Sequence, residues 1–401
     1  MLLYFALMMG SMVGDSPTMD EQNHIARGLA FLRTGDPRLS LEHPPLINSL
    51  SALPLLTMPE LRLPTDHPSW ERREGWYEFA DLFMWQYNHD VTRIVFLARL
   101  PIIFLAIALA LVGFRFARSL WGGAAALPAF VLLLFEPNLM AHGRYATTDM
   151  GGILFTFLTT YAFWCLWQNP EGWNWRRWLT SAILLGLAFG SKTSALGFVV
   201  IWLVLALLPL YPTVPGRLGR QALVRVAQLL SAGALSLVVV WGIFGFEWGS
   251  FKFYSEALAS FNRWTGPMPT FWAGIEQITL LSGGRATSFL LGRFSENGWA
   301  GYFPAAFLMK TPLVLIALAL IAMILLLKTR ATRQRGLFLL VPIISFYVLA
   351  AQSALNIGYR HVLPALPYLL LMASGLAAVD LRTYGKRPFS PRAVLVGGLI
   401  V

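Results

Sequence analysis

Charge and cysteine are both scarce in this chain. Charged residues make up 13% of 401, about half the share of a water-soluble protein. Hydrophobic residues reach 56%. So few charges could not cover that much apolar surface in water, which excludes disorder and a multi-domain soluble enzyme. The single cysteine, Cys165, sits inside an apolar run, which excludes a disulfide scaffold and a thiolate metal site. There is no glycine-rich phosphate loop and no dinucleotide fingerprint, so a nucleotide sugar is not suggested as substrate. No repeat of fixed period and no low-complexity tract is present.

Long apolar stretches are abundant. Residues 102–114, 194–210, 226–246, 312–327 and 337–351 are apolar on every side rather than along one stripe, so lipid is their natural solvent. Taken along the chain, apolar segments fall near 1–14, 93–114, 122–138, 146–167, 178–190, 194–211, 226–246, 305–327, 337–355, 362–379 and 393–401. The expected fold is an all-α membrane protein with about eleven spans. The run 178–211 is too long for one crossing, because 34 residues at about 1.5 Å each reach about 51 Å against a hydrocarbon core of about 30 Å. A break at Gly190-Ser191-Lys192-Thr193-Ser194 is expected. Both chain ends read as incomplete: residues 1–14 form a short anchor without a basic flank, and 393–401 stop within an apolar run.

The net charge of +11 invites a nucleic-acid partner, but the distribution of charge argues against one. The connections 115–121, 168–178, 212–225, 328–336 and 380–392 carry 15 of the 31 arginines and lysines, opposed only by Glu171 and Asp380. The positive-inside rule makes these the cytoplasmic loops. Nearly all carboxylates and every histidine then fall on the outer side or in the membrane. A single transmembrane domain over 1–401 is expected, with two larger extracytoplasmic loops at 15–92 and 247–304.

The first loop opens with Asp15-Ser-Pro-Thr-Met-Asp20-Glu21-Gln-Asn-His24. Thr18-x-x-Glu21 fits a capping box, and Ile25, Leu29 and Leu32 follow at helical spacing, so an amphipathic interfacial helix is expected. Taken alone, Asp20 and Glu21 could simply cap that helix, with His24 one turn further on the same face. Glu42-His43-Pro44-Pro45 ends the next loop, and by itself the proline pair is a turn. Leu46–Leu56 and Trp70–Tyr87, rich in aromatics, read as further helices anchored at the interface.

Arg99, Arg144, Asp149, Lys192, Lys310 and Arg360-His361 lie inside or at the edge of apolar spans. An ionised group at bilayer depth costs roughly 2.5–3.5 kcal/mol. A single one can snorkel to the headgroups. Six at the outer side, with only Asp149 to balance five cations, point to an anionic ligand. Carboxylates beside surplus cations, with access to lipid, suit a lipid-linked phosphate as leaving group. A carboxylate takes the proton of an attacking hydroxyl, and the cations stabilise the departing anion.

Asp20-Glu21-x-x-His24, Gly35-Asp36 … Glu42-His43-Pro44-Pro45, Ala98-Arg99-Leu-Pro101, Pro137-Asn-Leu-Met-Ala-His142-Gly-Arg144 … Thr148-Asp149, Ser191-Lys192, Gly298-Trp299 … Lys310-Thr311-Pro312 and Asn356-Ile-Gly-Tyr-Arg360-His361-Val-Leu-Pro364 resemble bacterial phospholipid-carrier-dependent glycosyltransferases. These are GT-C relatives of the protein O-mannosyltransferases and aminoarabinose transferases. The resemblance implies a GT-C helical bundle in a bacterial plasma membrane and a polyprenyl-phosphate sugar donor. It also implies inverting transfer and an active site on the extracytoplasmic side. Carried over by position, Asp20 is the general base, with Glu21 and Asp149 shaping the acceptor site or steadying the base. Arg99 is the first candidate for the donor phosphate, followed by Lys310, Arg360 and His361. His24, Glu42, His43, His142, Arg144 and Lys192 are further substrate-binding candidates. Residues 247–304 are too few for the large soluble insertion of the eukaryotic mannosyltransferases, which weakens the case for a protein Ser/Thr acceptor and leaves a glycan, lipid or cell-wall hydroxyl on equal footing with a protein one.

Three rivals remain at this level. A membrane transporter also concentrates charge at depth, but it should show paired halves with interrupted helices. A metal-dependent transferase would hold a divalent cation with Asp20, Glu21, Asp149 and a histidine; a divalent metal stays open as an alternative that is not favoured, and the sequence names no definite cofactor. A catalytically silent subunit is disfavoured by the intact Asp20-Glu21 pair.

Overall fold

The computed structural model describes residues 1–169, 173–283, 287–352, 356 and 358–379. The expected span at 393–401 and the loop residues Glu171, Asp380, Arg382, Lys386, Arg387 and Arg392 lie outside the described residues.

The chain is mostly helical. It opens with α1 (Leu2–Val13), followed by the first polar loop with α2 (Met19–Thr34), α3 (Pro45–Ala52), α4 (Pro68–Glu71) and α5 (Trp76–Leu82). Then come α6 (Val91–Trp121), α7 (Gly123–Phe135), α8 (Pro137–His142), α9 (Asp149–Trp167), α10 (Trp175–Ser191), α11 (Phe198–Leu207) and α12 (Leu218–Ile243). The second loop holds two antiparallel hairpins, Trp248–Ser250 with Thr265–Pro267 and Ser288–Leu290 with Arg293–Ser295, on either side of α13 (Pro269–Gly283). The bundle continues with α14 (Tyr302–Lys310), α15 (Leu313–Lys328), α16 (Arg330–Ala351) and α17 (Leu366–Ser374).

By length and composition, α6, α9, α12 and α16 can each cross a membrane. The pair α14–α15, bent by 112°, makes a fifth if it counts as one span. Among the described residues that makes four or five full-length spans, which does not confirm the eleven or so read from hydropathy. The remaining apolar runs are shorter helices, Leu2–Val13, Pro45–Thr57, Gly123–Phe135, Thr193–Leu207 and Leu363–Ala378, each under the roughly 20 residues a bilayer needs. Local chemistry cuts them. Pro312 follows Thr311 at the elbow between α14 and α15, and Lys192 adopts an extended conformation (φ −156°, ψ 130°) that ends α10 at Ser191.

Two apolar cores organise the molecule. The larger lies among the bundle helices around Phe116, Phe157, Trp164, Trp202, Phe338 and Tyr368. The smaller, with Ile25, Leu29, Leu55, Phe79, Phe83 and Ile94, seats the first loop on the start of α6. The basic connections gather at one end. Arg335 at the start of α16 donates to the Leu120 carbonyl at 2.7 Å, and Gln334 reaches the Pro209 carbonyl at 3.5 Å. The polar loops and the break at Lys192 meet at the other end.

Candidate active site

The capping box at Thr18 is present in full. Glu21 N–H donates to the Thr18 hydroxyl and Thr18 N–H donates to the Glu21 carboxylate, which starts α2 with Asp20 and Glu21 in its first turn. The two acids then part. Glu21 turns inward and is fully buried; Asp20 turns outward, its side chain 38% exposed.

Glu21 meets Arg99 of α6 in a fork, with Nε to Oε1 at 2.7 Å and Nη2 to Oε2 at 2.8 Å. Ala146 N–H adds a bond to Oε1 at 2.9 Å. The other guanidinium hydrogens go to the carbonyls of Met12, Asp15 and Ser16, each at 3.1 Å. All five N–H donors of Arg99 are therefore engaged, and it is 1% exposed. This corrects the expectation that Arg99 contacts the donor phosphate. It is an internal clamp joining α6 to the 12–16 segment and α2, with no donor left over. Glu21 likewise has no free oxygen facing an acceptor. Burial opposes its ionisation, but the bonds from Arg99, Thr18 and Ala146 outweigh this and hold its carboxyl below the usual range.

Asp20 Oδ2 accepts from Arg360 Nη1, bringing together residues 340 positions apart. Its Oδ1 takes no hydrogen bond from the described residues. Burial works against the Arg360 charge, yet the Asp20 bond and the nearby Asp149 carboxylate raise its affinity for the proton. Arg360, Asp149 and Lys192 line one narrow cleft with Gly152, Thr156, Ser194 and Pro364. Its free volume of about 10 Å³ holds one water. Asp149 begins α9, where the positive end of the helix favours a carboxylate. It accepts from Lys192 Nζ, and His142 Nδ1 stands 3.7 Å away.

Loop contacts fasten the Asp20 helix to this cleft. Arg27 donates to Glu42 at 3.0 Å, and the Thr193 hydroxyl donates to the Glu42 carbonyl at 3.0 Å, linking α2 to the Lys192 break through the Glu42-His43 loop. His24 contacts Asn48 at 2.9 Å and its ring lies 4.9 Å from that of His43. Burial pushes His24 down to about 4 and His43 well below its ordinary value. His24, buried, and His43, half-buried, are neutral supports rather than charged ligands. His361 is also pushed down to about 4 by burial, and its Nε2 has no partner.

Arg144 and Lys310 also lie outside the cleft lining. Arg144 pairs with Asp15 at 2.8 Å and donates to the Ser11 carbonyl. Lys310 is exposed at the α14–α15 elbow, its carbonyl accepting from Asn138 at 3.0 Å. The imbalance of five cations against one carboxylate also shrinks, because Asp15, Asp20 and Glu21 fold in from the first loop to pair with Arg144, Arg360 and Arg99. Sequence reasoning missed Asp15, Asn48 and the Ala146 N–H. Only Asp15 carried a signal, through its place beside the acidic pair. Among the described residues, no three of His, Cys, Asp and Glu are grouped so as to hold a metal ion.

Residues 75–254 match the family described as dolichyl-phosphate-mannose-protein mannosyltransferase. No curated protein matches the chain. The fold is similar to that of ArnT from Cupriavidus metallidurans, in the apo state (TM-score 0.59) and bound to undecaprenyl phosphate (TM-score 0.60), both at 15% identity over 99% of this chain. It is also similar to the Archaeoglobus fulgidus oligosaccharyltransferase in the apo form (TM-score 0.50, 10% identity), covering 96% of this chain and 50% of that one. The chain spans 62% of the ArnT chains it matches. Residues 75–254 thus carry the mannosyltransferase-family match, within a chain whose fold is similar to that of ArnT and the archaeal oligosaccharyltransferase.

Proposed function

We propose that this protein transfers a sugar from a polyprenyl-phosphate donor to an acceptor hydroxyl at the extracytoplasmic face of a bacterial plasma membrane. The observation that carries the proposal is Asp20. One of its oxygens is held by Arg360 and the other is open, beside a cleft that also presents Lys192. The acceptor oxygen attacks the anomeric carbon and gives its proton to Asp20 Oδ1. The bond from that carbon to the phosphate oxygen breaks, and its electron pair leaves with the polyprenyl phosphate, inverting the centre. Arg360 spends one N–H on Asp20, so its fork has donors for the phosphate as well. Lys192 adds a point charge. At rest Asp20, Asp149, Lys192 and Arg360 balance, so the phosphate enters as Asp149 or Asp20 loosens its hold on a cation. Asp149 keeps Lys192 in place, and Glu21 with Arg99 positions the helix that carries Asp20.

Undecaprenyl phosphate bound to an ArnT of the same fold supports a lipid-linked donor. The acceptor is a glycan, lipid or protein hydroxyl. The test is incubation of the purified protein with a panel of polyprenyl-phosphate sugars and mass analysis of the products. Transfer by wild type, and none by Asp20→Asn with donor still bound, is the expected result. Wild-type turnover by Asp20→Asn would remove Asp20 from the mechanism.

A further inference from the structure

A second polar cavity, of about 430 Å³, lies at the basic end of the bundle. It sits between the end of α9 and the start of α12. Arg217, Arg220, Arg225, Gln221, Trp167 and Trp173 are among its lining residues, and no carboxylate lines it among the described residues. Arg225 is buried against the Tyr211 ring at 5.2 Å, and donates through Nε to the Ala206 carbonyl at 2.7 Å and through Nη2 to the Leu208 carbonyl at 3.4 Å. Its Nη1 finds no acceptor. The side chains of Arg217 and Arg220 are exposed and, among the described residues, take part in no ion pair and no hydrogen bond.

Two further features of the cavity call for an anion. The first turn of α12, a 26-residue helix, has no acidic residue and no side-chain cap, so its positive end is unanswered. The Trp167 indole N–H is unpartnered although the residue is only 2% exposed, and a buried donor without an acceptor is costly. Apolar side chains are exposed here too: Trp173 (51%) and Val224 (42%) in the cavity lining, and Leu218 (52%) and Leu223 (70%) on the same first turns of α12. A ligand with a phosphate at one end and acyl chains at the other satisfies both halves.

We infer that this cavity binds the phosphate headgroup of an anionic phospholipid in the leaflet facing the basic loops. This is a site separate from the Asp20 cleft and independent of the sugar-transfer reading. The phosphate takes the free guanidinium donors and the α12 amide end, while the acyl chains lie along Leu218 and Leu223.

The full-length protein in neutral detergent is mixed with phosphatidylglycerol, phosphatidylcholine or inorganic phosphate, passed over a sizing column, and its retained phosphorus measured. Phosphatidylglycerol is expected to be retained in preference to phosphatidylcholine. Arg217→Ala/Arg220→Ala should weaken that retention about 30-fold, from two cations near an anionic headgroup. Both side chains are exposed, so the variant keeps its fold. The control Arg118→Ala/Arg330→Ala, two exposed cations outside the cavity, should retain lipid as wild type does. Equal retention of the two lipids, or equal loss in the control pair, would overturn the site. Inorganic phosphate held as tightly as phosphatidylglycerol would overturn its assignment to lipid.

Discussion

The Glu21–Arg99 fork offers the sharpest test of how this protein positions its outer loop. In Glu21→Gln the Arg99 guanidinium stays buried with its charge uncompensated, and the lost partner costs about 3–5 kcal/mol. Unfolding entropy near 2.1 cal/mol/K per residue over 401 residues is about 0.8 kcal/mol/K. The expected fall in melting temperature in detergent is therefore about 4–6 °C. The double variant Glu21→Leu/Arg99→Met removes both charges and should recover only part of this, because the carbonyls of Met12, Asp15 and Ser16 still lose their donor. Acid should act in the same direction. The Glu21 carboxyl is held below its unfolded value, so its contribution is complete above the unfolded pKa and is lost as pH falls through the lower, folded one. The measurement is thermal unfolding of the three variants followed by fluorescence-detected sizing, beside donor binding. An Arg99→Ala protein that melts like wild type but has lost donor affinity would refute the clamp and return Arg99 to the phosphate.

Other outcomes follow from the same geometry. Arg360→Ala should weaken donor binding and lower transfer by at least about 100-fold, read as single-turnover rate against donor concentration; unchanged affinity would move the phosphate to Lys310. Asp149→Asn leaves Lys192 without its counter-charge and should tighten donor binding while slowing turnover; weaker donor binding would contradict the pairing seen here. Gly28→Ala would place a methyl 2.0 Å from the Asn48 carbonyl oxygen, so α2 and α3 must separate, costing about 1–3 kcal/mol despite the better helix propensity of alanine. A melting temperature at or above wild type would contradict that close approach. Burial pushes His361 down to about 4 from an ordinary 6.5. Its contribution to stability is present above 6.5 and is lost as pH falls through 4. His361→Leu should flatten that acid decline, and an unaltered pH profile would show that His361 does not cause it.

Much of this protein was legible in one dimension. Apolar runs with almost no charge require lipid, and basic connections that hold only two of the 20 carboxylates point to two unlike ends. The capping box at Thr18 could be read from four residues because N-terminal capping is local chemistry. The break at Lys192 could be read from length alone. Span count was less accessible. Hydropathy registers the apolar content of Gly123–Phe135 or Thr193–Leu207, but not that each helix stops short of a bilayer's thickness.

Charge pairing was beyond reach, because it depends on contacts across 78 positions for Glu21 with Arg99 and 340 for Asp20 with Arg360. Adjacent acids on one helix turn look alike in sequence, yet a step of about 100° between neighbours sends Glu21 into the core and Asp20 toward the cleft. The sequence by itself determined the lipid solvent, the separation of basic from acidic loops and the residue types available for acid–base and phosphate chemistry. Only tertiary structure decided which arginine became a buried clamp and which stayed open to a ligand, since that choice rests on how many acceptors the fold brings around each guanidinium.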